Sequence, residues 1–159
     1  MRGTAHLRQR QHRRRGALTV EVALIMPIFV VFLAGLLEFG HYYLVQHMLN
    51  TAARRGAHLG SLEGVTTNQV VQHVRSIVGV AVNPNKVSVS VKNGSVFDTA
   101  GVNPSTINYD ALPNIELAAA QAADCFVVQA RVSYNDVAVL PPFWIKNRTV
   151  TGRAVMRHE

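Results

Sequence analysis

Arg13-Arg14-Arg15-Gly16-Ala17-Leu18-Thr19-Val20-Glu21, running at once into VALIMPIFVVFLAGLL at residues 22–37, decides how the rest of the chain is read. The order is a basic cluster, a glycine, a lone acid and an uncharged apolar run. The sixteen residues 22–37 make about 24 Å of helix, and adding Ala17 to Glu21 brings it to about 31 Å, close to one hydrocarbon core. A secretory signal peptide would have a shorter apolar region and a small-x-small cleavage site after it. Here Glu38-Phe39-Gly40-His41-Tyr42-Tyr43 follows instead, a polar and aromatic belt suited to a membrane interface. The reading is a retained single span. A carboxylate one turn into such a span is costly and needs a purpose.

Charge supports the same orientation. The formal net charge is +7 over 159 residues, but residues 1–16 hold Arg2, Arg8, Arg10, Arg13, Arg14 and Arg15 and no acid. From residue 38 onward ten basic residues face eight acidic ones. The basicity is therefore an N-terminal feature. It argues against nucleic acid as partner, which would want a basic face on the folded domain. Arginines before an apolar run stay cytoplasmic, so the C-terminal part is exported. Cys125 is the only cysteine. It excludes an intramolecular disulfide and a thiolate metal cluster within one chain, and it reads as a small buried hydrophobe.

The helix is expected to continue past the membrane. No proline occurs from Tyr42 to Ala57, and Leu44, Val45, Met48, Leu49, Ala52 and Ala53 recur at helical spacing. Gly56 is the expected stop, with Arg54 and Arg55 in the last turn. Pro27 lies inside and should free the carbonyl of Ala23 and kink the helix, which membrane helices tolerate. Gly56 and Gly60 form a small-x-x-x-small pair, to which little weight attaches outside a membrane.

These residues resemble the TadE family, pseudopilin or minor-pilin-like proteins of the tight-adherence (Tad, or Flp) pilus systems. The resemblance rests on Arg14, Arg15, Gly16, Val20, Glu21, Ala23, Leu24 and Pro27, then on Glu38, Gly40, Tyr43, Gln46, Ala52, Ala53, Arg54, Gly56 and Ala57. It covers residues 14–57, with a thinner likeness at Thr149 to Glu159. Val22 stands where the family usually has an aromatic, His41 where it has arginine, Arg55 where it has an acid, and His58 where it often has arginine.

The resemblance implies a class III signal peptide. A prepilin peptidase cleaves between Gly16 and Ala17, glycine letting the backbone enter a tight site, while Arg13, Arg14 and Arg15 hold that point at the cytoplasmic face. The new amine of Ala17 and the carboxylate of Glu21 then lie four residues apart on one helix face. In pilin-like assemblies the glutamate pairs with a neighbour's amine, which relieves its penalty in lipid and sets the axial register. Glu38, at the far interface, is either a solvated boundary residue or a contact to another subunit through that subunit's Arg54 or Arg55. The partners implied are the prepilin peptidase, other pilin or pseudopilin subunits, the Tad inner-membrane platform and membrane lipid.

Beyond residue 57 the chain reads as a small α+β unit. Thr66 or Thr67 caps a helix with Val70, Val71, Val74, Ile77 and Val78 on one face. Val87, Val89 and Val91 alternate with polar residues as a strand, and Asn93-Gly94 is a hairpin-type turn. Residues 95–114 form a loop, Pro113 to Ala123 an Ala-rich helix, Phe126 to Tyr134 a second strand and Arg148 to Arg157 the last. The expected architecture is a basic leader (1–16), a transmembrane and extended helix (17–57), and an exported domain (58–159). In that domain an amphipathic helix packs on a short antiparallel sheet of about three strands. The sheet's edges could recruit a partner.

No HExxH, P-loop or paired-cysteine site occurs, so no enzyme activity, metal or cofactor is expected. The main expectation is a pseudopilin of the bacterial inner membrane, N-terminus inside, in assembly or initiation of a Tad-type pilus or related secretion apparatus. One rival is an uncleaved single-pass protein whose exported domain binds an envelope partner or ligand. The other is an enzyme with its site in the Asp98 to Asp110 loop.

Overall fold

The structure is a computed structural model that describes the backbone from Thr4 and the side chains from Thr19 onward. Helix α1 spans Thr4–Gly60. The chain divides into two compact units after Phe39.

In the first unit the apolar run of α1 keeps its side chains outward. Leu24, Ile28 and Phe32 are exposed, and none of the most apolar stretch is buried within the chain. Pro27 lies inside the helix, which runs on past it. A helix apolar all round and unburied has no stable solution in water and fits a lipid surround.

The second unit, Gly40–Glu159, is an α+β domain. Its first element is the end of α1, whose Val45, Leu49, Ala52, Ala53 and Ala57 are fully buried or nearly so. The expected stop at Gly56 is not where the helix ends. It continues one further turn to Gly60 and is closed by Ser61, whose hydroxyl donates to the His58 carbonyl at 2.9 Å. Gly64, at φ +78°, then reverses the chain in the left-handed region that a side chain would oppose.

Helix α2, Thr67–Val78, begins at a capping box in which Thr66 and Gln69 each satisfy the other's backbone N–H. Its buried face is Val70, Val74 and Val78. β-Branched residues are indifferent helix formers, so packing of this face, with the cap, sustains the helix.

Three strands follow: β1 (Ser88–Asn93), β2 (Cys125–Ser133) and β3 (Thr149–Arg157), antiparallel in the order β1-β2-β3. The register sets Val91 opposite Val128 and Val128 opposite Ala154. One face of β2, comprising Phe126, Val128, Ala130 and Val132, joins the valines of α2 and the buried face of α1 in a single core. The α+β expectation, with helix on a three-stranded antiparallel sheet, therefore holds.

Two further local expectations do not. Asn93-Gly94 makes no tight hairpin, since β1 pairs with β2 some thirty residues on. Gly94 is needed for another reason: a Cβ there would lie 3.0 Å from the Cys125 backbone. Pro113 to Ala123 is not an α-helix and holds only a 3-10 turn at Leu117–Ala119. Asn114 pairs with Lys92, and Ile115 N–H donates to the Val91 carbonyl, so the segment enters as an extended addition beside β1. Leu117 is then drawn into the core. These tertiary bonds outweigh the helix propensity of the alanines.

Candidate functional site

The sequence placed the functional residues on α1. Gly16 and Ala17, with Arg13, Arg14 and Arg15, lie outside the residues whose side chains are described. Glu21, Pro27 and Glu38 are described. Glu21 is exposed on the helix, on the same face as Leu24, Ile25 and Ile28 by three- and four-residue spacing, and all of these are exposed too. A carboxylate on an apolar, outward-facing helix surface is unfavourable in hydrocarbon by a few kcal/mol, about 2.5–3.5 at mid-bilayer on insertion scales. Pro27, six residues on, is likewise exposed. Its ring nitrogen has no proton for the Ala23 carbonyl, which leaves a polar group on the helix surface. Glu38 is half-buried. Arg54 and Arg55 are exposed on the second unit, on the opposite side of α1 from its buried alanines.

The buried side of α1 is governed by small residues whose part the sequence reading underrated. A Cβ at Gly56 would sit 2.3 Å from a Val74 methyl, and one at Gly60 would sit 2.9 Å from Leu117 and 3.1 Å from Phe126. The Gly56 and Gly60 pair therefore does carry meaning outside the membrane: it lets α1 and α2 cross closely. Gly152 does the same from the sheet, with a Cβ position 2.3 Å from the Leu49 carbonyl. Gln46 Nε2 donates to the Thr151 carbonyl at 2.7 Å beside it. The four-residue spacing of Gly56 and Gly60 was the available clue. Gly152 stands inside a strand, where a glycine often marks close backbone approach.

The other face of the sheet is covered by the long β1–β2 connection. Asp98 accepts from Arg157 at 2.9 Å, Asp110 pairs with Arg131, and the Arg153 guanidinium lies 4.3 Å over the Tyr109 ring. Beneath this strap Val127 and Gln129 are buried. Both acids of the Asp98 to Asp110 loop thus bind sheet arginines. Cys125, at the edge of the strap, is buried, and its thiol is pushed up from the ordinary range, first by that burial and then by the Asp98 charge.

The fold and its N-terminal surface define a class: a small α+β domain carried by one helix long and apolar enough to cross a membrane. Residues 16–58 match the family model described as TadE-like protein, which is consistent with a TadE-like protein. No curated protein and no solved structure matches the chain. The family match and the apolar helix together fit a membrane protein related to Tad pili.

Proposed function

We propose that the chain is a pseudopilin. A prepilin peptidase cleaves it after Gly16, and it inserts in the bacterial inner membrane with its C-terminal domain outside. There it takes part in assembly or initiation of a Tad-type pilus or related secretion apparatus. It acts by packing against other pilin or pseudopilin subunits and the inner-membrane platform, and it carries out no catalysis. The observation that supports this best is Glu21. It lies inside the family-matched segment, exposed on an outward apolar face, four residues from Ala17. A plain anchor gains nothing from an acid there. A subunit whose acid meets a neighbour's new amine removes the penalty and gains an axial register.

The test is co-expression with the cognate peptidase. Wild-type protein extracted from membranes should begin at Ala17, and Gly16→Arg should retain the arginine leader and run at higher mass. Identical masses, with an uncleaved N-terminus in both, would overturn the reading in favour of an uncleaved single-pass protein.

A further inference from the structure

The connection between β2 and β3 presents an unusual surface. Val139 is 79% exposed, Leu140 55%, Phe143 71% and Trp144 43%, while Lys146 and Arg148 stand exposed beside them. A cluster of large exposed apolar side chains on a small domain marks an interaction surface.

The loop is built to hold that cluster out. At its neck Tyr134 N–H donates to the Arg148 carbonyl at 2.8 Å. The amides of Asn135 and Asn147 bond across at 2.7 and 3.1 Å, with Asn147 taking the left-handed conformation at φ +57°. Val137, Ala138 and Ile145 are tied to the core on either side. Between these anchors Pro141 and Pro142 restrict the backbone, so little conformational freedom is lost when the tip meets a partner. Phe143 and Trp144 pack edge to face at 4.9 Å, and the Lys146 ammonium lies 5.8 Å from the Phe143 ring.

Position identifies the partner. Tyr134, at the neck, faces the start of the domain: its hydroxyl is 3.4 Å from His41 Nδ1, and its ring is 5.6 Å from that of Tyr42. His41 follows Leu37, the last residue of the apolar run, by four residues, a reach of at most about 14 Å of chain. The neck of the loop is therefore tied by covalent distance to the level at which the chain leaves the bilayer. Tryptophan, aromatic and aliphatic side chains flanked by lysine and arginine are what that level selects. The rings sit among glycerol and acyl groups while the cations meet phosphates.

The geometry points to the β2–β3 loop as a second membrane contact, with Leu140, Phe143 and Trp144 inserted into the phospholipid interface and Lys146 and Arg148 at the headgroups. This rests on the reading of residues 22–37 as a membrane span. Its consequence is that the exported domain meets the membrane at two places, its helix and this loop.

Trp144 is the sole tryptophan, so its fluorescence reports on the loop alone. The full chain is reconstituted into phosphatidylcholine and phosphatidylglycerol vesicles and floated after alkaline carbonate washing. In the floated vesicles, phospholipids brominated near the headgroup end of their acyl chains should quench Trp144, and acrylamide should reach it poorly. Leu140→Ser with Phe143→Ser, both at exposed positions, should red-shift the emission and abolish the lipid quenching while the far-ultraviolet dichroism is unchanged. Floated protein whose Trp144 is untouched by brominated lipid would overturn the loop contact alone. Full access to acrylamide would then place the loop in water, and protection would place it against protein. Protein that fails to float overturns the membrane span and the loop contact together.

Discussion

Gly152 of β3 lies directly against the backbone of α1 at Leu49: a Cβ on residue 152 would be 2.3 Å from the Leu49 carbonyl carbon and oxygen and 2.6 Å from Asn50 N. The obstacle is helix backbone, which cannot rotate aside as a side chain could. Gly152→Ala should therefore force α1 off the sheet and break the Gln46 bond to the Thr151 carbonyl. Overpacking costs about 1–3 kcal/mol where neighbours can adjust, and this site should reach or exceed the top of that range. Urea unfolding of the detergent-solubilised chain is the measurement, and an unchanged midpoint would refute the contact.

Gly56 presents the opposite case, because what it faces can be removed. A Cβ there would be 2.3 Å from a Val74 methyl, with Val70 and Val128 at 3.5 and 3.6 Å. Gly56→Ala alone should destabilise by about 1–3 kcal/mol. Val74→Ala alone should also destabilise, by opening a cavity. Combined, the new methyl occupies the space left by the old ones. The double variant should be more stable than the sum of the single effects, by at least about 0.5 kcal/mol of coupling. Additive single effects in the same unfolding assay would show that the two positions do not touch.

Cys125 should be chemically silent in the folded domain. It is buried, and both burial and the neighbouring Asp98 charge favour its thiol over the thiolate, while Arg157 acts weakly the other way. Iodoacetamide at neutral pH should label the native protein far more slowly than the urea-unfolded protein. Asp98→Asn should speed native labelling, since it removes a charge that opposes the thiolate and loosens the strap. Equal labelling rates in folded and unfolded protein would contradict the burial.

What the sequence disclosed, and what it withheld, follows from how each residue is determined. Val87, Val89 and Val91 alternate because one face of β1 is buried, and alternation survives in the sequence as it stands. Glu21 was legible because a charge in an apolar run is conspicuous. The alanines of residues 118–120 misled because helix propensity is local, whereas Asn114, Ile115 and Leu117 are placed by partners at Lys92, Val91 and the core. Asn93-Gly94 misled in the same way: its glycine is required by the approach of Cys125, which lies far along the chain. The strap over the outer sheet face went unseen because Asp98 with Arg157, and Asp110 with Arg131, are pairs that only the register of β2 and β3 brings together. The exposed pair Phe143 and Trp144 follows two prolines and belongs to neither flanking strand. Their exposure depends on Ile145 turning inward beside them, which no periodicity records.

Glu116 gives the domain an acid-sensitive joint. Its carboxylate accepts from the Thr67 N–H at 2.9 Å, at the first turn of α2, where an unpaired backbone donor and the helix dipole both favour a negative charge. Thr67 Oγ1 completes the joint by donating to the Ile115 carbonyl and accepting from Leu117 N–H. The Thr67 backbone bond, assisted by the Ala118 N–H, holds the Glu116 carboxyl below the ordinary glutamate range, against a smaller opposing effect of desolvation. A folded-state value below the unfolded one means that the contribution is present above the unfolded value. It fades as pH falls through the folded one. Acid should thus release the N-terminus of α2 from residues 115–117 while the sheet persists, and amide-exchange protection at Thr67 and Leu117 should be lost earlier than at Val128. Glu116→Gln keeps the shape of the acceptor but removes the titrating charge. Protection at Thr67 in that variant should be lower than in wild type at neutral pH and should show no acid-linked loss of its own beyond that of the rest of the domain. A wild-type protein whose Thr67 protection stays constant relative to Val128 down to the acid limit of folding would rule out Glu116 as the group responsible.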